Sequence, residues 1–154
     1  MVDIPGPPHG RIVDELDLII AAWRMAHPGV TSYLGTGDRC ALRLAGMQSE
    51  RHPDLAIYLS PAPDPVNPWE RWVPDIVIEV VSEGGEKRDY EEKRREYLAA
   101  GVREYWIIDP AKRAALILLR AGDVWQERRP AETYETTLLP GMSLDLVRLF
   151  GRTP

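Results

Sequence analysis

Two Pro-Asp pairs, a glutamate inside an apolar run and a lysine on the segment that follows are the residues through which this chain could do chemistry. Asp54 follows Pro53 in HPDLAIYLS, Asp75 follows Pro74 in PDIVIEVVS, Glu79 lies in the middle of that second run, and Lys93 stands in DYEEKRREYLAA. A carboxylate buried without a partner costs on the order of several kcal/mol, so Glu79 demands a cation or hydrogen-bond donors. Two carboxylates beside a lysine suit a hard divalent cation, Mg²⁺ or Mn²⁺. Oxygen ligands hold such an ion, which keeps several waters, while the lysine orients or helps deprotonate an attacking water or steadies a phosphate. The backbone carbonyl of Val80 is a further candidate ligand. The same side chains also describe a structural ion-pair network, and the residues alone leave both possibilities open.

These residues need three elements to bring them together. Asp75 to Val81, closed by Pro74 in front and Ser82 to Gly85 behind, has the composition of a buried central strand. A helix follows, with Asp89 as its expected N-cap, Glu92 completing a capping box, Ala99 and Ala100 favouring the helix and Gly101 stopping it. Tyr90, Lys93 and Tyr97 share its inward face with Leu98 beside them, while Glu91, Arg95 and Glu96 are expected in solvent. Glu104 to Asp109 is a second apolar strand, ending at Pro110. Strand, crossover helix and strand imply parallel pairing with a right-handed connection, which lets Lys93 approach Glu79. If the strand His52 to Ser60 runs antiparallel to the Glu79 strand across the proline-rich loop Pro61 to Pro68, Asp54 neighbours Glu79. Asp75 is then about 13 Å from Glu79 along its strand and is expected to cap the strand start.

Elsewhere, Met1 to Gly10 carries three prolines and two glycines, and an irregular lead-in is expected before a single domain over residues 11–150. From Arg11 to Met25, Ile12, Leu16, Ile19, Ile20 and Trp23 recur at helical spacing, with Pro28 and Gly29 as the stop. Arg39 to Ala45 is an expected strand, followed by a polar turn from Gly46 to Glu50. Ala114 to Arg120 and Val124 to Arg129 form an expected hairpin, Tyr134 to Leu139 an edge strand, and Ser143 the cap of a last helix from Leu144 to Phe150.

The totals narrow the classes. A chain of 154 residues with 44% hydrophobic residues supports one core, and no apolar run reaches membrane-span length. Cys40 is the single cysteine, which excludes a disulfide framework and a multi-cysteine metal site and makes the cytoplasm the default compartment. A net charge of −5 argues against binding nucleic acid by a uniformly basic surface. Basic residues do cluster locally, and Arg88, Arg94 and Arg95 are candidates for phosphate contacts. His9, His27 and His52 lack ligand spacing and read as surface residues. Trp69, Trp72, Trp106 and Trp125 serve either a core or an interface.

PDLAIYLS, VPDIVIEVVS, DYEEKRREYLAAGVREYWIIDP and LLPGMSLDLVRLF together resemble the Uma-type "putative restriction endonuclease" family, a branch of the PD-(D/E)XK nucleases, from about His9 to Phe150. The resemblance implies an α/β fold, a mixed sheet flanked by helices, with an Mg²⁺-dependent phosphodiesterase site acting on DNA. Asp54 matches the superfamily's aspartate and Glu79 the acidic residue of the (D/E)XK element. The lysine position of that element is Val81 here, and Lys93 on the following helix takes its place. Glu15, which flanks the apolar stripe and reads by itself as a solvated residue, is the candidate that the resemblance offers for the acid of the first helix. The resemblance also implies an N-terminal segment with a YELIDGEL-like stretch ahead of the point where this sequence begins. The alternative is a non-catalytic nuclease-fold domain for binding or dimerisation, with Asp54, Glu79 and Lys93 as an ion-pair network. A homodimer would suit two-fold duplex DNA.

Overall fold

In the computed structural model, which describes residues 7–43 and 50–151, the chain opens with helix α1, Pro7–Ala26. The helix therefore starts before the expected Arg11, and Pro7 to Gly10 are helical. Prolines are tolerated in a first turn because their missing N–H groups would have no intrahelical acceptor there. The rest of the expected lead-in lies outside the described residues. Ile12, Leu16, Ile20 and Trp23 of the apolar stripe are buried, with Ile19 packed alongside.

Short strand β1, Tyr33–Gly35, comes next, then a two-stranded ladder of β2, Leu42–Arg43, and β3, Glu50–Arg51. The expected turn between them lies outside the described residues except for Glu50, which is part of β3. Strand β4, Leu55–Tyr58, is fully buried, as is β5, Ile76–Val80. After a helical segment that ends in α2, Lys93–Ala100, the chain forms β6, Glu104–Asp109, β7, Ala114–Ala121, and β8, Val124–Arg128. Gly101 ends α2 with φ +100, a left-handed conformation that favours glycine.

The main sheet runs β1-β4-β5-β6-β7-β8, parallel only between β5 and β6 and antiparallel elsewhere. It is the mixed sheet expected. The run Ile76 to Val80 divides by the alternation of a strand. Ile76, Ile78 and Val80 pack with α1 and the C-terminal segment, whereas Val77 joins Tyr97 of α2 and Tyr105 on the other face. Glu79 takes the α2 face by the same alternation. Trp106 is fully buried, while Trp69 and Trp72 form an aromatic cluster with Tyr33 and Tyr58.

The C-terminal part departs from expectation in two places. β9, Thr133–Glu135, does not extend the main sheet but pairs with β10, Ser143–Asp145. Tyr134 of this strand and Thr136 just beyond it instead donate to the buried Glu104 carboxylate, which also accepts Trp106 Nε1–H at 3.0 Å. Helix α3, Leu146–Phe150, is capped by Asp145, which accepts the Arg148 N–H at 3.0 Å, and Ser143 belongs to the strand before it.

Leu16 is completely buried between α1 and the sheet. Leu16→Ala should lower unfolding free energy by about 2–5 kcal/mol, measured as a reduced urea midpoint with unchanged slope.

Candidate active site

In the antiparallel pairing of β4 with β5, Leu55 stands opposite Ile78, which sets Asp54 opposite Glu79 just beyond the end of the ladder. There, side chains take over from backbone carbonyls. The Asp54 N–H donates to Glu79 Oε1 at 3.0 Å, and the Val80 N–H donates to Asp54 Oδ2 at 2.8 Å. Each acid thus closes the backbone of the opposite strand. Val81 N–H turns the other way, to Ile108 of β6 at 2.8 Å. Because the N–H and carbonyl of one strand residue point to the same edge, the Val80 carbonyl faces the Asp54 side.

Glu79 is 2% exposed, and α2 supplies its partners. Tyr97 Oη donates to Oε2 at 2.7 Å, and Lys93 Nζ lies 2.5 Å from the same oxygen. Lys93 also sits 3.0 Å from Asp89 Oδ1. This is a charge contact within the helix, from i to i+4. Asp89 is not the helix N-cap. Helical backbone begins at Glu86, and a π-turn over Arg88–Glu92 brings Lys93 N–H to the Arg88 carbonyl. Such single π-turns recur at functional sites. Asp89 is therefore buried inside the helix, one turn before Lys93.

The charges are strongly coupled. Burial pushes the Glu79 carboxyl above its ordinary range; Lys93 opposes this, and Asp54 and Asp89 add to it. Asp89 is likewise raised by burial against the pull of Lys93. For Lys93, burial favours the neutral amine, but Glu79 and Asp89 outweigh it and hold the group above its usual value. Lys93 is thus an ammonium at neutral pH in this arrangement. Its chemistry here is to donate hydrogen bonds and supply charge.

His9 also belongs to this cluster and is not the surface residue expected. Its Nε2 lies 3.1 Å from Asp54 Oδ2, and its side chain is 13% exposed. His9 precedes Ile12 and Leu16 at i+3 and i+7, a spacing that places it on the buried face of α1, and this was the available signal. For Asp89 the signal was its i,i+4 relation to Lys93. Beside His9 opens a cleft of about 490 Å³ lined in part by Pro8, Val81, Ser82, Glu83 and Asp109.

The other expected site residues are placed apart. Asp75 closes the start of β5, accepting Leu59 N–H at 2.8 Å and facing Arg103 at 3.5 Å. Arg94 is paired with Glu127 at 2.9 Å, while Arg88 and Arg95 are exposed. Glu15, partly buried on α1, makes no hydrogen bond or ion pair with the acids among the described residues. Glu96, expected in solvent, takes a two-pronged contact from Arg51 at 2.7 and 2.9 Å.

Among the described residues no three His, Cys, Asp or Glu side chains already converge as a metal cage. The donor chemistry nevertheless fits a hard cation that keeps most of its waters: two adjacent carboxylates and, by the strand geometry, a carbonyl on their side.

The mixed sheet with its flanking helices is consistent with a restriction-endonuclease-like fold. The chain belongs to the Uma2 family, described as "Putative restriction endonuclease", whose sequence model matches residues 1–147. Among solved structures it is similar to a "putative nuclease belonging to DUF820" from Anabaena variabilis ATCC 29413, at 18% identity and a TM-score of 0.73. The match covers 96% of this chain and 83% of the other, and shows the shared fold. No curated protein matches the chain.

Removing the ammonium would strand two buried carboxylates. Lys93→Met should destabilise the protein by about 3–5 kcal/mol at pH 7. Glu79 and Asp89 would then have folded pKa values raised further, and an acid so raised contributes stability that is complete below its unfolded value and lost as pH rises through the folded one. The deficit should therefore shrink as pH falls towards the ordinary glutamate value of 4.5. Urea midpoints of both proteins at pH 7 and pH 5 check this.

Proposed function

We propose that the chain is a metal-dependent endonuclease hydrolysing DNA phosphodiester bonds. The observation that supports this best is the pairing of Asp54 with Glu79 across β4 and β5, with Lys93 Nζ 2.5 Å from Glu79. Family membership and the nuclease fold point the same way. Asp54 and Glu79, with the Val80 carbonyl, would hold Mg²⁺ or Mn²⁺. A bound ion of this kind polarises a phosphoryl oxygen and acidifies a coordinated water.

The chain's own residues have separable tasks. Lys93 keeps its proton and donates hydrogen bonds to a phosphate oxygen or to the attacking water. Asp89 retains that ammonium when Glu79 turns its charge elsewhere. Tyr97 stays a phenol, since burial and then Glu79 hold its pKa well above the ordinary value, so it fixes Glu79 by donation. Arg88 and Arg95 are exposed and make no ion pair among the described residues, and they suit phosphate contacts; Arg94 would first leave Glu127. The reading takes a single domain that opens with α1, in the cytoplasm, as a homodimer through a sheet edge, β1 or β8, that is unpaired among the described residues. None of the described helices is long and apolar enough to cross a membrane.

A second reading is favoured by the completeness of the ion pairing. Both Glu79 oxygens and the Lys93 ammonium already have partners. On that reading the trio is a structural network inside a domain used for binding or dimerisation.

Supercoiled plasmid incubated with the protein and millimolar Mg²⁺ or Mn²⁺ separates the two. Nicking should appear with metal, stop with EDTA, and fall by about 100-fold or more in Asp54→Asn and Glu79→Gln, both still folded by circular dichroism. A folded wild-type protein that never nicks DNA with either ion overturns the nuclease reading in favour of the second.

A further inference from the structure

The first helix brings a side chain to the acid pair. His9 stands on α1, whose course over the sheet is fixed by the completely buried Ile12, Leu16 and Ile20 on the same face. Its ring reaches the sheet end, where Nε2 lies 3.1 Å from Asp54 Oδ2. That oxygen already accepts the Val80 N–H at 2.8 Å, so Oδ2 has two donors, from different elements. Asp54 Oδ1 has no hydrogen bond recorded among the described residues, and the side chain is 25% exposed. The carboxylate is thus fixed through one oxygen, and the other is left without a donor among the described residues.

A metal-binding carboxylate works best when its plane is set before the ion arrives, because a freely rotating one must lose that freedom on binding. Val80 N–H alone gives one anchor, about which the carboxylate can still tilt. His9 supplies a second from across the sheet end.

We infer that His9 is a positioning residue: it holds Asp54 Oδ2 together with the Val80 N–H, so that Oδ1 is presented to a divalent cation. This rests on the reading that Asp54 and Glu79 hold a metal. It adds to that reading a residue of the first helix, acting through Asp54 and not itself a ligand. Glu15, the acid that the resemblance implied on this helix, makes no such contact among the described residues.

The test is calorimetric titration of Mn²⁺ into the metal-free wild type, Asp54→Asn, His9→Leu and His9→Gln. Leucine fills the space of the ring without a donor, and glutamine restores an N–H near the position of Nε2. Asp54→Asn should abolish binding. His9→Leu should weaken it by about 10-fold or more, the usual effect of losing a hydrogen-bond partner of a ligand, and His9→Gln should recover most of that loss. Unchanged affinity in His9→Leu overturns the inference while leaving the metal site standing. Equal weakening in both His9 variants also overturns it, since the ring's packing and not its donor would then matter. If the wild type takes up no Mn²⁺, the metal reading itself fails and takes this one with it. Thermal melts establish that each variant is folded, with His9→Ala replacing His9→Leu should the latter not fold.

Discussion

The structure around the site depends on one buried carboxylate above the others. Glu79 lies near the end of an inner strand of the sheet, 2% exposed, where an unpaired carboxylate would be prohibitive. Its environment supplies every compensation available: an ammonium, a phenol O–H and a backbone N–H. Each comes from a different place. Lys93 and Tyr97 fix the rotation of α2 about its axis, and Asp54 N–H fixes where β4 leaves the sheet. Satisfying one side chain therefore constrains three segments at once. Replacing such an arrangement by hydrophobic residues is often neutral or stabilising, so stability alone is a weak reason for a fold to carry it.

The π-turn before α2 shows what that constraint requires of the backbone. Arg88 to Glu92 widens the helix by one residue per turn at the place where Asp89 and Lys93 must both face inward. The Asp89 side chain and main chain have separate roles. Its carboxylate stands beside the ammonium, while its carbonyl accepts Tyr105 Oη–H at 2.7 Å from β6. Helix, lysine and the neighbouring strand are held as one unit, which is the kind of rigid support a preorganised electrostatic site needs.

Much of this was legible in the sequence because local rules and chemistry agreed. A glutamate in an apolar run calls for a cation, and a strand-helix-strand unit delivers Lys93 to it. The Asp54 register followed from two Pro-Asp strands joined by a proline-rich loop, since antiparallel pairing leaves little freedom over so few residues. What stayed hidden was tertiary or a matter of offset. His9 sits on the apolar stripe of α1, but what it meets lies 45 residues away and depends on where the helix crosses the sheet. Asp89 has cap chemistry, and only the earlier start at Glu86 turns it inward. Ser143 and Asp145 both carry capping oxygens two residues apart; both pair with β9, and only Asp145, the last residue of β10, adjoins the first helical residue, Leu146. Tyr134 lost its place at the sheet edge to the demand of the buried Glu104 for donors.

The exchange between Asp54 and the Glu79–Val80 backbone has a wider meaning. Two rungs of hydrogen bonding at the sheet end run through carboxylate oxygens instead of peptide carbonyls. Anything that draws charge from those oxygens also acts on the sheet, so binding of any ligand there and cohesion of β4 with β5 would be thermodynamically linked, each reinforcing or weakening the other. The amide protons of Asp54 and Val80 become built-in reporters of that linkage, sensing through their exchange with solvent what the acids are holding.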